Sequence, residues 1–319
     1  MMSTIAQTTD PLRIAVNWFE QGRKLALVTV LSVWGSAPRP AGSHLICDDQ
    51  GNFAGSVSGG CIEAEVLAQA KDVIASGKTC DLSFGVSDET AWQSGLSCGG
   101  TIRILITPYD QALHTQISQI ITAQAERYEL TSHTDLLTGA VTLITPPQSA
   151  KITLLDENGF IQTYRPRPHI LVTGAVHITQ ALAQMAAIAG YALTIIDPRS
   201  GFATSERFPL TDLIVQWPED FFQAKSPDRF TAIVALSHIP HLDDPAIIAG
   251  LKNQCFYVGA LGSRKTHAKR LERLAIAGMD AQSSARIHAP IGLAIAAQEP
   301  AEIATAILAQ IIQAYRQHI

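Results

Sequence analysis

The sequence predicts an α/β protein in two domains, an N-terminal mixed α/β domain followed by a Rossmann-like domain with a doubly wound parallel sheet. A chain of 319 residues is longer than most proteins with a single hydrophobic core, so it usually divides into two domains. From residue 170 onward an apolar run, a glycine turn, an amphipathic helix and a second apolar run follow one another, which is typical of a βαβ unit. Arginine and proline alternate over residues 165–168, just before this pattern. We therefore predict domains at residues 1–164 and 165–319.

The composition excludes several classes of protein. A net charge of -5 and a pI near 6.0 differ from the basic surface of nucleic-acid-binding proteins. No apolar run reaches the roughly 18 residues of a membrane helix, and the first ten residues lack the features of a signal peptide. Charged residues make up only 16% of the chain, so we expect part of the surface to be buried in a homodimer. We expect a cytoplasmic protein with no nucleic-acid or membrane partner.

Local signals predict the elements of the first domain. Asp10-Pro11 is a helix start, with an N-cap side chain and a proline at the first helical position. A β-branched run over residues 25–34 predicts a strand, and Arg39 is the only charge in the turn-rich segment after it. The remaining predictions are a hairpin at 44–47 and 52–57, helices at 62–76 and 110–128, strands at 79–85 and 101–107, and short strands between 136 and 160.

The five cysteines are odd in number and contain no CxxC pair. This favours reduced thiols over a disulfide framework or a structural zinc site. Free cysteine is usually a small buried hydrophobe, and we interpret Cys47, Cys80 and Cys255 in this way. Cys61 and Cys98 differ because each lies among glycines and serines, so we expect a function for both thiols.

Two glycine-rich loops each contain one of these thiols. The first reads GSVSGGCIE over residues 55–63, and the second reads GLSCGG over residues 95–100. Each adjoins a predicted strand, and their small side chains leave backbone amides open, so we predict one shared site. Cys61 also precedes a helix, whose unpaired first amides would stabilise a thiolate. The candidate residues of the two loops are Ser58, Gly59, Gly60, Cys61, Cys98, Gly99 and Gly100.

The glycine turn of the second domain departs from the dinucleotide-binding fingerprint. Gly174-Ala175-Val176 occupies the place of the expected G-x-G. The β-branched Val176 puts a side chain where the main chain would approach a pyrophosphate, so tight NAD binding in the usual pose is not expected. Asp197 lies where the ribose-binding acid would lie, and it is equally well explained as a polar residue that ends a strand.

A second glycine-rich turn, residues 259–265, is the better candidate for an anion site. It follows a predicted strand and opens a helix rich in lysine and arginine, so we predict a phosphate at Gly262, Ser263 and Arg264. In the alternative, Ser263 is only an N-cap and the basic residues form a solvated face. Metal-capable side chains also occur nearby, but such residues in one loop more often form caps and local pairs. They are His238, His241, Asp243 and Asp244.

Several motifs resemble the XdhC/CoxI family, and together they span nearly the whole chain. In the first half these are GSAPRPAG at 35–42, the loop at 55–63, FGVSDE at 84–89 and SCGG at 97–100. In the second half they are FAT at 202–204, ERFP at 206–209, LDDP at 242–245, GALGSRKTH at 259–267 and HAPIGL at 288–293. Family members often read Gly-Ala-Gly-His where this chain has Gly-Ala-Val-His at 174–177.

The resemblance implies a chaperone rather than an enzyme. Such a protein binds molybdenum cofactor (molybdopterin) or its cytosine dinucleotide form, protects it during sulfuration and inserts it into an apo-molybdoenzyme of the xanthine dehydrogenase or aldehyde oxidase type. A cysteine desulfurase is a further implied partner. Because thiols suit a soft metal and arginines suit a phosphate, Cys61 and Cys98 are the implied molybdenum contacts, with Arg39 and Arg264 among the residues around the cofactor.

Two other functions compete with this interpretation. The Rossmann-like domain is also consistent with an NAD(P)-dependent oxidoreductase, although Val176 counts against it. A pure protein-interaction module would bind neither ligand. Separate titrations with a pterin and with NADH distinguish the three.

Overall fold

The computed structural model describes residues 10–35, 39–60, 62–85, 100–144, 153–157, 159–209 and 211–318. These residues form two compact units, which are divided between Pro166 and Arg167. The domain division predicted from the sequence lies two residues earlier in the chain. Within the described ranges, no helix is long and apolar enough to cross a membrane.

The described residues of the first unit form two antiparallel sheets and three helices. Its five-stranded sheet has the order β3-β2-β1-β5-β4, and its four-stranded sheet has the order β7-β6-β9-β8. The elements are α1 (Pro11–Glu20), β1 (Leu25–Trp34), β2 (His44–Asp48), β3 (Phe53–Gly55), α2 (Glu63–Ser76), β4 (Cys80–Gly85), β5 (Thr101–Pro108), α3 (Gln111–Ala125), β6 (Leu130–Thr134), β7 (Val141–Ile144), β8 (Thr153–Leu155) and β9 (Phe160–Tyr164).

Helices cover both faces of the five-stranded sheet. Side chains of β1 alternate between the faces, so Val28 packs in the core beneath α2 and Leu27 packs in the core beneath α1 and α3. In α2, Val66, Ala70 and Val73 recur every three or four residues and bury one stripe of the helix. β1 is apolar on both faces for this reason, which explains why its sequence reads as a continuous apolar run.

The second unit contains a six-stranded parallel sheet of order β12-β11-β10-β13-β14-β15. The winding direction changes between β10 and β13. α4 and α9 pack on one face, whereas α5, α6 and α7 pack on the other. The elements are β10 (His169–Thr173), α4 (His177–Ile188), β11 (Ala192–Ile196), β12 (Asp212–Ile214), α5 (Pro218–Ala224), β13 (Thr231–Ala235), α6 (Pro240–Lys252), β14 (Tyr257–Ala260), α7 (Arg264–Ile276), α8 (Ala281–Ser284), β15 (Ile287–His288) and α9 (Pro300–His318).

The structure confirms the predicted fold class, a mixed α/β domain followed by a doubly wound parallel sheet. Asp10 caps α1 as expected, since its side chain accepts a hydrogen bond from the Leu12 amide at 3.0 Å. Gly77 ends α2 in the left-handed conformation with φ of 67°. The strand β15 was not predicted, because two residues are too short for a recognisable pattern.

Candidate functional site

Three segments of the first unit leave the five-stranded sheet in the same direction. β1 ends at Trp34, which pairs with Thr101, the first residue of β5. β4 ends at Gly85, which also pairs with Thr101. β3 ends at Gly55, and its pairing with Leu45 at the start of β2 shows that it points the same way. The chain therefore runs toward one end of the sheet, which we call the loop end, as it enters the segments 35–43, 56–62 and 86–100.

The strand ends that flank the two predicted thiol loops point the same way but are staggered, because Gly55 is level with Val28 and Ile106, five residues along β5 from Thr101. Neighbouring strands lie about 4.8 Å apart, so β3 and β5 are separated by about 14 Å. α2 follows the first loop and packs on β1, β2 and β5. Val33, Ile62 and Phe84 accordingly belong to one core. The shared site stays a prediction, because Cys61, Cys98 and Gly99 lie outside the described residues.

Glu63 organises the loop that precedes α2. Its side chain is buried within a ring of donors from residues 56–60, and the residue is only 8% exposed. Oε1 accepts hydrogen bonds from Ser56 Oγ (2.8 Å) and from the amides of Val57 (3.2 Å), Ser58 (2.9 Å) and Gly59 (3.1 Å). Oε2 accepts hydrogen bonds from the Gly60 amide (2.8 Å) and from Ser58 Oγ.

These bonds set the electrostatics of the first predicted thiol loop. Burial alone raises the pKa of Glu63, but hydrogen bonds from Ser58 and Ser56 outweigh burial and lower the pKa to about 2. A negative charge therefore lies at the start of α2 at neutral pH, where the helix dipole stabilises it. The expectation of open amides at Ser58, Gly59 and Gly60 is wrong in this structure, since each amide donates to Glu63. Their place in a cofactor site stays a prediction, and an anionic ligand there would compete with Glu63.

The backbone is held on both sides of Cys61. The Gly60 amide donates to Glu63 at 2.8 Å, and the Ile62 amide donates to Ser58 Oγ at 3.1 Å. Ser58 Oγ also donates to Glu63, so one hydrogen-bonded group joins the two flanks. A side chain between such neighbours can bind a ligand with little backbone reorganisation.

The other three cysteines and Arg39 lie within the described residues. Cys47 and Cys255 are buried, as predicted, and Cys80 is partly buried at the start of β4. Burial raises the pKa of Cys47 to about 12, so its thiol is unreactive. Arg39 is exposed in the segment that follows β1, at the loop end. Gly100 is half-buried beside the first residue of β5.

The glycine turn after β10 is closed by its own side chains. The Ala175 amide donates to Asp197 Oδ2 at 2.8 Å, so it is not free for a phosphate. Asp197 is fully buried and also pairs with Arg199, whose Nε and Nη2 lie 2.8 Å and 2.6 Å from its oxygens. A β-carbon on Gly174 would lie 2.8 Å from the Ser237 amide nitrogen, so this glycine permits close approach of two chain segments. The turn and Asp197, which would bind a dinucleotide in a standard Rossmann fold, are therefore occupied by contacts within the protein.

Comparison with known proteins assigns the family. Residues 18–85 match the XdhC and CoxI family, and residues 170–311 match the XdhC Rossmann domain. A Bacillus subtilis (strain 168) protein named as a probable subunit of xanthine dehydrogenase is 30% identical over 333 residues, which cover 92% of this chain and 94% of that protein. The chain belongs to the XdhC and CoxI family. The resemblance seen in the sequence motifs is thereby confirmed.

Two further relatives extend the XdhC and CoxI comparison over nearly the whole chain. The molybdenum cofactor insertion chaperone PaoD of Escherichia coli (strain K12) is 28% identical over 303 residues, or 94% of this chain and 86% of that protein. A crystal structure described as a xanthine dehydrogenase from Bacillus halodurans has a TM-score of 0.80, covering 97% of this chain and 96% of that chain. At 23% identity, that structural likeness concerns the fold.

The predicted phosphate residues of the XdhC Rossmann domain lie at the start of α7. Gly262 has a φ of +130°, and Ser263 caps the helix by accepting a hydrogen bond from the Thr266 amide at 3.2 Å. Arg264 is the exposed first residue of the helix. The N-cap alternative for Ser263 is confirmed, whereas an anion at these residues stays a prediction.

Sequence reasoning did not predict that two charged residues, Asp243 on α6 and Arg270 on α7, are buried. Each is only 2% exposed. Arg270 was interpreted as part of a solvated or phosphate-binding basic face, but it lies four residues before the buried Leu274 and so shares its inward stripe. The spacing of four residues between Arg270 and Leu274 was the signal in the sequence that could have predicted the burial of Arg270.

Of the four metal-capable residues between 238 and 244, the two aspartates bind other side chains instead. Asp244 pairs with Arg273, and Asp243 accepts hydrogen bonds from Ser237 and Thr173. Among the described residues no group of three His, Cys, Asp or Glu side chains is placed to hold a metal ion. His238 has a φ of 63°, a strained backbone conformation for a residue with a side chain.

Proposed function

We propose that this protein is a cytoplasmic chaperone that binds molybdenum cofactor or its cytosine dinucleotide form. It protects the cofactor during sulfuration and inserts it into an apo-molybdoenzyme of the xanthine dehydrogenase or aldehyde oxidase type. It performs no catalysis of its own. Membership of the XdhC and CoxI family and the likeness to PaoD, which is named as an insertion chaperone, support this proposal.

The observation that best supports the proposal is the common direction of the loop segments. β3 and β4, which precede residues 56–62 and 86–100, both run toward the loop end of one sheet. Both segments contain a cysteine, and a thiolate is a suitable ligand for a soft, dithiolene-bound metal. Cys61 and Cys98 are therefore the proposed contacts to molybdenum, with Gly99 and Gly100 in the second loop and Arg39 at the third segment.

The glycine turn does not support the rival function, an NAD(P)-dependent oxidoreductase. The Ala175 amide and the Asp197 carboxylate are the groups that would bind a pyrophosphate and a ribose. They bind each other, and Arg199 contacts both oxygens of the carboxylate. Opening this turn for a dinucleotide would release the buried Asp197 carboxylate from the Ala175 amide and from Arg199, which costs stability.

The partners follow from the same role. An apo-molybdoenzyme receives the cofactor, and a cysteine desulfurase supplies the sulfur while the cofactor is held. The low content of charged residues, 16%, supports a homodimer. Tagged protein should therefore co-purify with the apo-molybdoenzyme, and its mass in solution should be that of two chains.

Two measurements on the purified protein test the proposed function. Protein isolated from cells that make molybdenum cofactor is oxidised, and the fluorescence of the released pterin is measured. The same preparation is titrated with NADH. We expect pterin in proportion to protein and no saturable NADH binding; NADH binding without any pterin would refute the proposal.

A further inference from the structure

A pocket of about 170 Å³ opens beside the point where the parallel sheet changes its winding direction. Asp243 links the ends of β10 and β13 at that point through hydrogen bonds. Its Oδ1 accepts hydrogen bonds from Thr173 Oγ1 (2.9 Å), at the end of β10, and from Ser237 Oγ (2.7 Å), just after β13. Open α/β sheets bind ligands outside the carboxyl ends of their strands at such a point. The pocket therefore has the position expected of a ligand site.

Two buried charged groups in the pocket have polar atoms without a partner. Asp243 and Arg270 both line it, and each is only 2% exposed. Asp243 Oδ2 and the Nε and Nη1 atoms of Arg270 have no hydrogen-bond partner among the described residues. Arg270 Nη2 donates to the Leu261 carbonyl at 2.9 Å, which fixes the guanidinium. Because unsatisfied buried polar atoms cost stability, a ligand that satisfies both groups is favoured.

The rest of the pocket is positively charged. Lys265 and Lys269 line it from the exposed side of α7, and neither ammonium group forms an ion pair with a described residue. Arg273 also lines it, but Asp244 neutralises this guanidinium through contacts of 2.5 Å and 3.0 Å. His238, with its strained backbone, completes the entrance. The positive charges outnumber the single unpaired carboxylate, so the ligand is an anion.

We propose that this pocket binds a protonated phosphate, either inorganic hydrogenphosphate or a phosphate monoester. Phosphate oxygens accept from Arg270 and the two lysines, while the phosphate hydroxyl donates to Asp243 Oδ2. A phosphate monoester has a second pKa of about 6, so its protonated form is accessible near neutral pH. Sulfate and phosphodiesters have no such proton and would leave Asp243 facing a second negative charge.

This inference goes beyond the proposed function and does not rest on it. It can be tested by titrating the protein with inorganic phosphate, without any molybdenum cofactor. Loss of pterin with intact phosphate binding would refute the chaperone proposal alone, whereas pterin without phosphate binding would refute this inference alone.

Calorimetric titration of the full chain tests the site, in phosphate-free buffer at constant ionic strength. Inorganic phosphate is compared with sulfate and with a nucleoside monophosphate, which separates a free phosphate from a monoester as the ligand. Lys269→Ala removes one pocket charge from an exposed position, so it should fold normally. Lys252→Ala is its matched control, since Lys252 is an exposed lysine at the end of α6 that does not line the pocket.

Phosphate should bind at least about tenfold more tightly than sulfate, because a site built to accept a hydrogen bond rejects a ligand without the donor. Lys269→Ala should weaken phosphate binding about fivefold and Lys252→Ala should not. Asp243→Asn, which offers a donor instead of an acceptor, should bring the two anions to within about threefold. Absence of saturable phosphate binding, equal affinity for sulfate, or equal weakening by both lysine variants would overturn the inference.

Discussion

Glu63 is the residue on which the first thiol loop depends. It accepts hydrogen bonds from four consecutive amides and two hydroxyls, and it lies within the first turn of α2. The partial charges of those amides and of the helix start both stabilise the carboxylate. The loop is thus built around an anion of its own, which places the flanks of Cys61 before any cofactor binds.

Replacing Glu63 with glutamine tests this arrangement. The neutral amide accepts weaker hydrogen bonds and turns a donor toward the loop amides, so we expect a loss of about 2 kcal/mol in the free energy of unfolding. Glu65→Gln is the control, because Glu65 is exposed in the same helical turn. Urea unfolding at neutral pH measures both. Equal stabilities of the two variants would show that Glu63 does not organise the loop.

The same carboxylate predicts a dependence of stability on pH. Its pKa is lowered from 4.5 to about 2 on folding, so the ionised form stabilises the folded state above the unfolded pKa. That contribution is lost as the pH falls from about 4.5 toward 2. The stability difference between the wild-type protein and Glu63→Gln should therefore be constant above about pH 5 and shrink below it. A difference that does not change with pH in urea unfolding would contradict the lowered pKa.

At the scale of elements, the junction of β10 and β13 explains the glycine turn. Gly174 has a φ of +107° and a β-carbon there would lie 2.8 Å from the Ser237 amide nitrogen. Gly190 also has a positive φ, +83°, but has no heavy atom within 4 Å of a β-carbon. A substitution at Gly190 therefore tests backbone strain alone, whereas a substitution at Gly174 tests backbone strain together with a steric clash.

We expect Gly174→Ala to lower the free energy of unfolding by about 3 kcal/mol or more, and Gly190→Ala by about 1 kcal/mol. Thermal or urea unfolding of the two variants measures the difference. Similar losses would mean that the strand ends can move apart, which would leave room for a dinucleotide at the turn.

Much of this element structure was predictable, because it depends on local signals. The strand Leu25–Trp34 was predicted to the residue from its β-branched run, and the end of α2 from Gly77. The side-chain clusters were less predictable. Asp243 and Arg270 lie on different helices, and only the fold brings them to one pocket. Glu63 is the first residue of α2, and the sequence did not reveal that it would accept hydrogen bonds from the amides of residues 57–60.

At the scale of the whole molecule, each unit has cores of its own. Among the described residues, no hydrophobic core contains side chains from both sides of the division at residue 166. We therefore expect residues 167–319 alone to unfold in one cooperative transition, with the circular dichroism of an α/β fold. A fragment without a cooperative transition would show that the second unit needs the first in order to fold.

The proposal on which the chaperone function depends is that Cys61 and Cys98 together hold molybdenum cofactor. The most direct measurement is the amount of pterin that stays bound after purified protein is loaded with cofactor and passed through a desalting column. We predict that the double variant Cys61→Ser/Cys98→Ser retains about tenfold less pterin than the wild-type protein, while Cys80→Ser, a partly buried cysteine on β4, retains as much. Equal retention by the double variant, with unchanged activation of an apo-molybdoenzyme, would contradict the claim.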